Sequence, residues 1–325
     1  MTHAICIHQN GGPDVLRWEA LDVPAPGPGE VRLRQTAVGL NYIDVYFRTG
    51  LYAAPTLPFT PGLEGAGVVE ATGEGVATLK VGDRVAYASA PIGAYAEVRL
   101  MPADRLVKVP DGISDQQAAA MMLQGMTTQY LVRRTYKVQA GETILVHAAA
   151  GGVGLMLCQW AKHLGATVIG TVSSEEKAAL ARANGCDHPI IYTREDFQSR
   201  VMEITNGQKV PVVYDSVGVD TFAKSLDCLA PLGMMVLFGQ ASGPVPPFEL
   251  GTLAAKGSLF ITRPTLFSYT AKREDLVTTA NELFDVVGKG VVKIAVNQTY
   301  ALADAAQAHR DLEARKTTGS TVLTV

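Results

Sequence analysis

Thr143-Ile144-Leu145-Val146-His147-Ala148-Ala149-Ala150-Gly151-Gly152-Val153-Gly154 is the stretch that decides the fold. Its opening Thr143 to His147 is β-branched and apolar, as a strand buried on both faces requires. Beyond the glycines, Val153, Met156, Leu157, Trp160, Ala161 and Leu164 recur at three- and four-residue spacing, which lays one apolar stripe along a helix. Strand, glycine turn and helix make a phosphate-binding arrangement, because the first helical turn carries unspent N–H groups and a partial positive charge. Ala149, Gly151 and Gly154 fill the three places of the dinucleotide fingerprint, with Gly152 as an additional glycine. The alanine in the first place weakens the match; the flanking strand and helix strengthen it.

Working outward, the alternation continues. Thr167 to Thr171 reads as a strand, Glu176 to Ala183 as a helix stopped by Asn184-Gly185, and Pro189 to Tyr192 as a strand. Phe197, Val201 and Ile204 mark a helical face, and Val210 to Tyr214, Met234 to Phe238 and Ser258 to Thr262 supply further strands. Strands alternating with helices predict an α/β protein with a doubly wound parallel sheet. Ligands in such sheets lie outside the carboxyl ends of the strands, which singles out Ser173, Tyr192, Ser216 and Gly239, each otherwise an ordinary loop residue.

The residues before about 109 read differently. Gly11-Gly12-Pro13, Pro24 to Gly29 and Val81-Gly82-Asp83 are turn clusters bounding runs such as Val31 to Arg34 and Arg84 to Tyr87, as in a small β-barrel or sandwich. From Ser114, whose hydroxyl suits a cap, the pattern turns helical through Leu131.

With 325 residues, 47% of them hydrophobic and 18% charged, the chain has enough material for two globular domains. A net charge of -3 gives no general attraction for nucleic acid or an anionic membrane. Cys6, Cys158, Cys186 and Cys228 lack metal-ligand spacing and read as reduced thiols, suiting a cytoplasmic location. Met1 to Ile7 alternates like a first strand rather than a secretion signal, and no apolar run has the length of a membrane span.

An NAD-selective site places a carboxylate about 20 residues beyond the first glycine, where it meets the ribose hydroxyls. That region reads Gly170-Thr171-Val172-Ser173-Ser174. Without the carboxylate a 2′-phosphate meets no repulsion, and Ser173 with Lys177 offers it a hydroxyl and a positive charge, so NADPH is the expected cofactor. Glu175 and Glu176 lie nearby, and Lys177 alone also reads as a solvated helix residue.

Gly11-Gly12-Pro13, Gly62-Leu63-Glu64-Gly65-Ala66-Gly67, Ala148 to Gly154 and Tyr214-Asp215-Ser216-Val217-Gly218 together resemble the medium-chain dehydrogenase/reductase superfamily, and within it the zinc-free NADPH:quinone oxidoreductases. The resemblance implies a GroES-like β-rich catalytic domain over 1–124 and 267–325, a Rossmann NADPH-binding domain over 125–266, and a homodimer joined by Rossmann edge strands. Zinc-dependent relatives carry Cys and His where this chain has Asn41 and Leu63, and residues 85–115 lack the cysteines of a structural zinc lobe. No metal is therefore expected.

Without a Lewis acid the expected substrate is a quinone or enone, whose conjugated carbonyl delocalises incoming charge while the protein holds it against nicotinamide C4 of NADPH for electron or hydride transfer, with a quinone as the main reading. The resemblance places Asn41 to Tyr52 at the interdomain cleft, and Asn41, Tyr46, Tyr52 and Arg263 are the candidate catalytic residues. Tyr46 is read two ways, because Tyr42, Val45 and Tyr46 also have the spacing of a small packed helix. For the cofactor the resemblance carries over Asn41, Thr127, Tyr130, Gly152, Val153, Ser173, Lys177, Tyr192, Ser216, Phe238, Gly239, Ala241 and Arg263. His147, inside the buried strand, reads as a core residue. Two other readings stand beside the main one: a reductase of alkenals or enones, and an NADPH-binding crystallin-like or RNA-binding protein, against which the mild acidity and the lack of a basic, aromatic stripe argue.

Overall fold

Short alternating runs open the chain as strands β1 (Thr2–Cys6), β2 (Arg17–Leu21) and β3 (Glu30–Leu40), followed by helix α1 (Tyr42–Thr49). Next come β4 (Glu64–Thr72), β5 (Arg84–Ala88), β6 (Val98–Pro102), β7 (Val107–Lys108) and helix α2 (Asp115–Tyr130). The second stretch holds β8 (Thr143–Val146), α3 (Gly152–His163), β9 (Thr167–Val172), α4 (Glu175–Ala183), β10 (His188–Ile191), α5 (Phe197–Ile204) and β11 (Val210–Asp215). It continues through α6 (Phe222–Asp227), β12 (Leu229–Leu237), α7 (Gly251–Ala255), β13 (Phe260–Thr262) and α8 (Leu266–Tyr269). Helix α9 (Arg273–Gly288), β14 (Val296–Ala301), α10 (Ala305–Glu313) and β15 (Ser320–Thr324) complete the chain. The computed structural model describes residues 1–54 and 56–325 and divides into two units. The first is Met1–Met126, Thr270–Gly288 and Ile294–Val325; the second is Thr127–Tyr269 with Lys289–Lys293.

In the first unit β14, β15, β3, β4, β5 and β7 lie side by side in that order, and β6 also pairs with β3. Val31, Leu33, Val69, Val85, Met101 and Leu323 point from these strands into one apolar core. Strand β3 runs much further than Val31 to Arg34, because its second half is paired on both sides, with β4 and with β15. Ser114 caps α2 as its sequence suggests: its hydroxyl accepts from Gln117 N at 3.2 Å and the Gln117 side chain accepts from Ser114 N at 3.0 Å. The helical path then runs on as a π turn over Leu131–Thr135.

The second unit is a six-stranded parallel sheet in the order β10-β9-β8-β11-β12-β13. Its apolar strands read as near-continuous hydrophobic runs because both faces are covered, and Leu145, Ile169, Ile190, Val213 and Met235 belong to one buried cluster. Strand β12 begins earlier than Met234: its register shifts beside Val210/Val212, and Leu232 has a φ of 62°, so hydrophobic pattern alone hid its start.

Gly39 on β3 illustrates how tightly the first unit closes. A Cβ there would lie 2.2 Å from the Ala119 carbonyl oxygen and 2.3 Å from Glu64 Oε2. Gly39→Ala should lower the unfolding free energy by about 1–3 kcal/mol, the usual penalty of forcing an extra methyl into a packed core. Urea unfolding of the two proteins at one pH checks this, and an unchanged midpoint would contradict the packing described.

Candidate functional site

All six carboxyl ends of the parallel sheet carry residues singled out from the sequence. Gly152 and Val153 follow β8, Ser173 follows β9, Tyr192 follows β10, Ser216 follows β11, Phe238, Gly239 and Ala241 follow β12, and Arg263 follows β13. Backbone bonds knit these ends together. Ala149 N donates to Thr171 O at 3.0 Å, Tyr192 N to Val172 O at 3.1 Å, Phe238 N to Asp215 O at 2.8 Å and Ala241 N to Ser216 O at 3.1 Å. The buried Asp215 carboxylate holds the turn after β11 by accepting from Val217 N, Gly218 N and the Thr221 hydroxyl.

The glycine turn is shaped to receive an anion. Helix α3 starts at Gly152 with Gly151 as its N-cap and no side-chain cap, leaving its first N–H groups to be satisfied from outside. At Gly154 a Cβ would meet Ala148 O at 2.3 Å, so only glycine lets the turn fold this tightly. Ala148 itself has a φ of 54°, a left-handed conformation that an alanine sequence does not announce. These features fit a dinucleotide pyrophosphate.

After β9, Ser174 caps α4, accepting from Lys177 N at 3.3 Å, and no carboxylate occupies the strand end. Glu175 is exposed and salt-bridged to Arg194 at 2.9 Å, which offsets its charge. Arg194 is a second cation in this neighbourhood that sequence spacing did not bring forward. Tyr192 is 40% exposed, as a stacking residue would be. Thr127 and Tyr130 are buried, joined through their side chains, and Tyr130 stacks on Tyr269 with ring centroids 4.3 Å apart. Arg263 is exposed and near enough to Tyr130 to act on its hydroxyl electrostatically. His147 is buried, with Nδ1 2.9 Å from Thr171 Oγ1 and Nε2 2.8 Å from Ser225 Oγ, and burial lowers its pKa.

In the first unit, Tyr46 and Tyr52 pack together with ring centroids 5.1 Å apart, and Tyr52 N donates to Tyr46 O at 3.0 Å. Tyr46 also leans on Tyr42, so its helix-packing role is real. Asn41, preceding α1, ties together two fully buried carboxyls. Its backbone N donates to Asp44 Oδ2 at 2.9 Å and its side-chain Nδ2 to Glu64 Oε2 at 2.6 Å. Gln124 Nε2 donates to Asn41 Oδ1 at 3.1 Å, Ser320 Oγ donates to Gln124 Oε1 at 2.7 Å, and Leu123 N donates to Glu64 Oε1 at 2.7 Å.

A second line of bonds has a forced direction. Arg48 has only donors, so at 2.9 Å the Nδ1 of His309 must accept from it and the ring proton sits on Nε2. That proton points to the Tyr95 oxygen at 3.0 Å, and the Tyr95 hydroxyl donates in turn to Asp44 Oδ2 at 3.1 Å. Arg48 is anchored by Glu313 at 2.8 and 2.9 Å. Burial pushes Asp44 up to about 7 and Glu64 up to about 8, against the N–H and O–H donors that pull them down. Burial, with Arg48, holds His309 down to about 3. Among the described residues Asp44 Oδ1 has no hydrogen-bond partner. Sequence reasoning missed Asp44, Glu64, Gln124, Tyr95 and His309; a charged residue inside the Gly62 to Gly67 run was the one available signal.

Comparison with known proteins agrees with this layout. Residues 27–111 match the alcohol dehydrogenase GroES-like domain and residues 152–299 the family described as zinc-binding dehydrogenase. The chain is 58% identical to a quinone oxidoreductase of Pseudomonas aeruginosa over 96% of each sequence, and 49% identical to a 2-haloacrylate reductase of a Burkholderia species over 99% of each. It superposes with a TM-score of 0.98 on the Escherichia coli quinone oxidoreductase complexed with NADPH, at 48% identity, covering 99% of this chain and 100% of that one.

The raised Asp44 pKa has a consequence for stability. Between the ordinary carboxyl value of 3.8 and about 7 the folded state keeps a proton that the unfolded state has released, so this group's contribution falls as pH rises through that window. Asp44→Asn should flatten the pH dependence of unfolding there by up to about 1.4 kcal/mol per pH unit. Urea midpoints at pH 5, 6 and 7 measure it; parallel slopes for the two proteins would refute the assignment.

Proposed function

The chain belongs to the quinone oxidoreductases of the medium-chain dehydrogenase/reductase superfamily, and from that we propose that it reduces quinones with NADPH by transfer that uses no metal. The observation that carries the metal-free reading is the donor set. Leu63 is buried and has no ligand atom, and the Asn41 carboxamide is spent on Glu64 and Gln124. Zinc does not fit these residues, although part of the chain matches a family described as zinc-binding. A conjugated carbonyl is the acceptor that least needs such help.

When bound, NADPH supplies a hydride from its nicotinamide C4, and overall NADPH, quinone and one proton become NADP⁺ and hydroquinone. The chain's own residues bind and orient. The turn at Gly152 and Val153 takes the pyrophosphate; Ser173 and Lys177 take the 2′-phosphate, and Tyr192 stacks near adenine. Ser216, Phe238, Gly239, Ala241, Thr127, Tyr130 and Arg263 line the rest of the cofactor's path. Asn41, Tyr46, Tyr52 and Arg263 orient the quinone and stabilise charge on its oxygen. The relative named 2-haloacrylate reductase favours a second reading, in which the acceptor is an electron-poor carbon–carbon double bond.

We further take the protein to be a cytoplasmic homodimer. Four free cysteines suit a reducing compartment, and among the described residues no helix is long and apolar enough to cross a membrane. Strand β13 is a sheet edge, and Phe260 on it and Leu232 nearby are exposed by 56% and 67%, apolar surface that a second copy would cover.

NADPH consumption followed optically against a panel of quinones and activated alkenes tests the substrate class. Quinones should be turned over fastest, and alkenes consumed faster than every quinone would transfer the assignment to the second reading. Lys177→Ala should weaken NADPH roughly tenfold, about the value of one charge-assisted contact, and leave NADH nearly unchanged. Fluorescence titration distinguishes the two cofactors; equal weakening would remove the phosphate contact.

A further inference from the structure

Glu175, two residues beyond Ser173, is a carboxylate close to the position from which an NAD-selective site holds the ribose hydroxyls. Uncovered, it would accept from a 2′-hydroxyl and repel a 2′-phosphate. Arg194 covers it: Nη1 donates to Glu175 Oε1 at 2.9 Å, across the neighbouring ends of β9 and β10. Ile191 lies opposite Val172 in the parallel register, so Arg194 and Glu175 each stand three residues beyond that pair. The chain from which Arg194 projects is fixed. Tyr192 N donates to Val172 O at 3.1 Å, the Thr193 hydroxyl to Ser173 O at 3.1 Å, and Arg194 N to Ile191 O at 2.9 Å. Glu195 next to it is already occupied, by Arg200 at 3.1 Å and by Ile191 N at 3.0 Å. Arg194 and Glu175 are 66% and 69% exposed, where an ion pair contributes little to folding. A guanidinium carries five N–H donors, and among the described residues the side chain of Arg194 spends one, on Glu175. The Nε–Nη2 edge is left over, and such an edge matches two oxygens of a phosphate.

We propose that Arg194 sets the preference for NADPH in two ways at once: it stays on Glu175, cancelling that carboxylate, and turns its remaining edge to the 2′-phosphate beside Ser173 and Lys177. This role rests on the reading that the 2′-phosphate lies at the end of β9. Arg194 is thereby a specificity-determining residue. Without it the rim holds a bare Glu175, favourable to a ribose hydroxyl and unfavourable to a phosphate. With it the charges alternate as carboxylate, guanidinium and phosphate, so the phosphate meets the cation at contact distance and the carboxylate only from behind it. Lys177 binds a phosphate as a point charge, without the fixed direction of the guanidinium fork.

Calorimetric titration of the full chain with adenosine 2′,5′-bisphosphate and with adenosine 5′-monophosphate separates recognition of the 2′-phosphate from the rest of the cofactor. Wild type should bind the bisphosphate at least about tenfold more tightly, and Lys177→Ala should erode that preference. Arg194→Ala should weaken the bisphosphate by about tenfold. The monophosphate should bind it as tightly as before or more so, because the bared Glu175 accepts from the 2′-hydroxyl. Removing the carboxylate as well, in Glu175→Gln with Arg194→Ala, should recover about twofold to fourfold of the loss and no more. An Arg194→Ala protein that keeps the wild-type preference, while Lys177→Ala loses it, would overturn the role of Arg194 and leave the phosphate site standing. A wild type without preference would remove that site and this role together. Full recovery in the double variant would mean that Arg194 only masks Glu175, and no recovery that it only meets the phosphate; either result overturns the twofold role.

Discussion

Parallel strands can be joined only by a crossover of a dozen or more residues, and that constraint organises the second unit. Each crossover carries the chain back along a helix, so all six strands end on the same side. Six loops from distant parts of the sequence therefore share one rim, joined to one another by backbone hydrogen bonds. The turn after β8 is the tightest of them at the level of single atoms. There the backbone of Ala148 folds over Gly154, in a conformation that alanine adopts at a cost of about 1–2 kcal/mol. The packing around β8 and α3 supports that strain.

The first unit solves a different problem. It buries Asp44, Glu64 and Arg48 almost completely, which in an apolar core would be prohibitive without partners. Asn41 gives each carboxyl one N–H, α2 gives Glu64 another, and Tyr95 serves Asp44. Here Asn41 takes part in a polar network with Glu64 and Gln124, and Leu63 beside it offers no ligand atom.

The second unit was largely legible in the sequence because its signals are local. Strand-turn-helix order, the stop at Asn184-Gly185 and the absence of a carboxylate after β9 all sit within a few residues of the feature they report. Ser114 announced its cap for the same reason. The network around Asn41 was not legible, since its members meet only in the folded sheet: Arg48 and His309 are 261 residues apart, and Gln124 and Ser320 are 196 apart. Glu64 stood in a quoted motif, yet a glutamate between glycines reads as surface until β3 and α2 close over it. The left-handed Ala148 and the early start of β12 escaped because alanine and proline-leucine sequences carry no local mark of those conformations.

Arg48 has one more consequence. Its guanidinium offers only N–H donors, so the series Glu313, Arg48, His309, Tyr95 and Asp44 passes one fixed orientation inward. The Glu313 carboxylate, only partly covered by the fold, thereby settles which way a hydroxyl points beside a fully buried carboxyl.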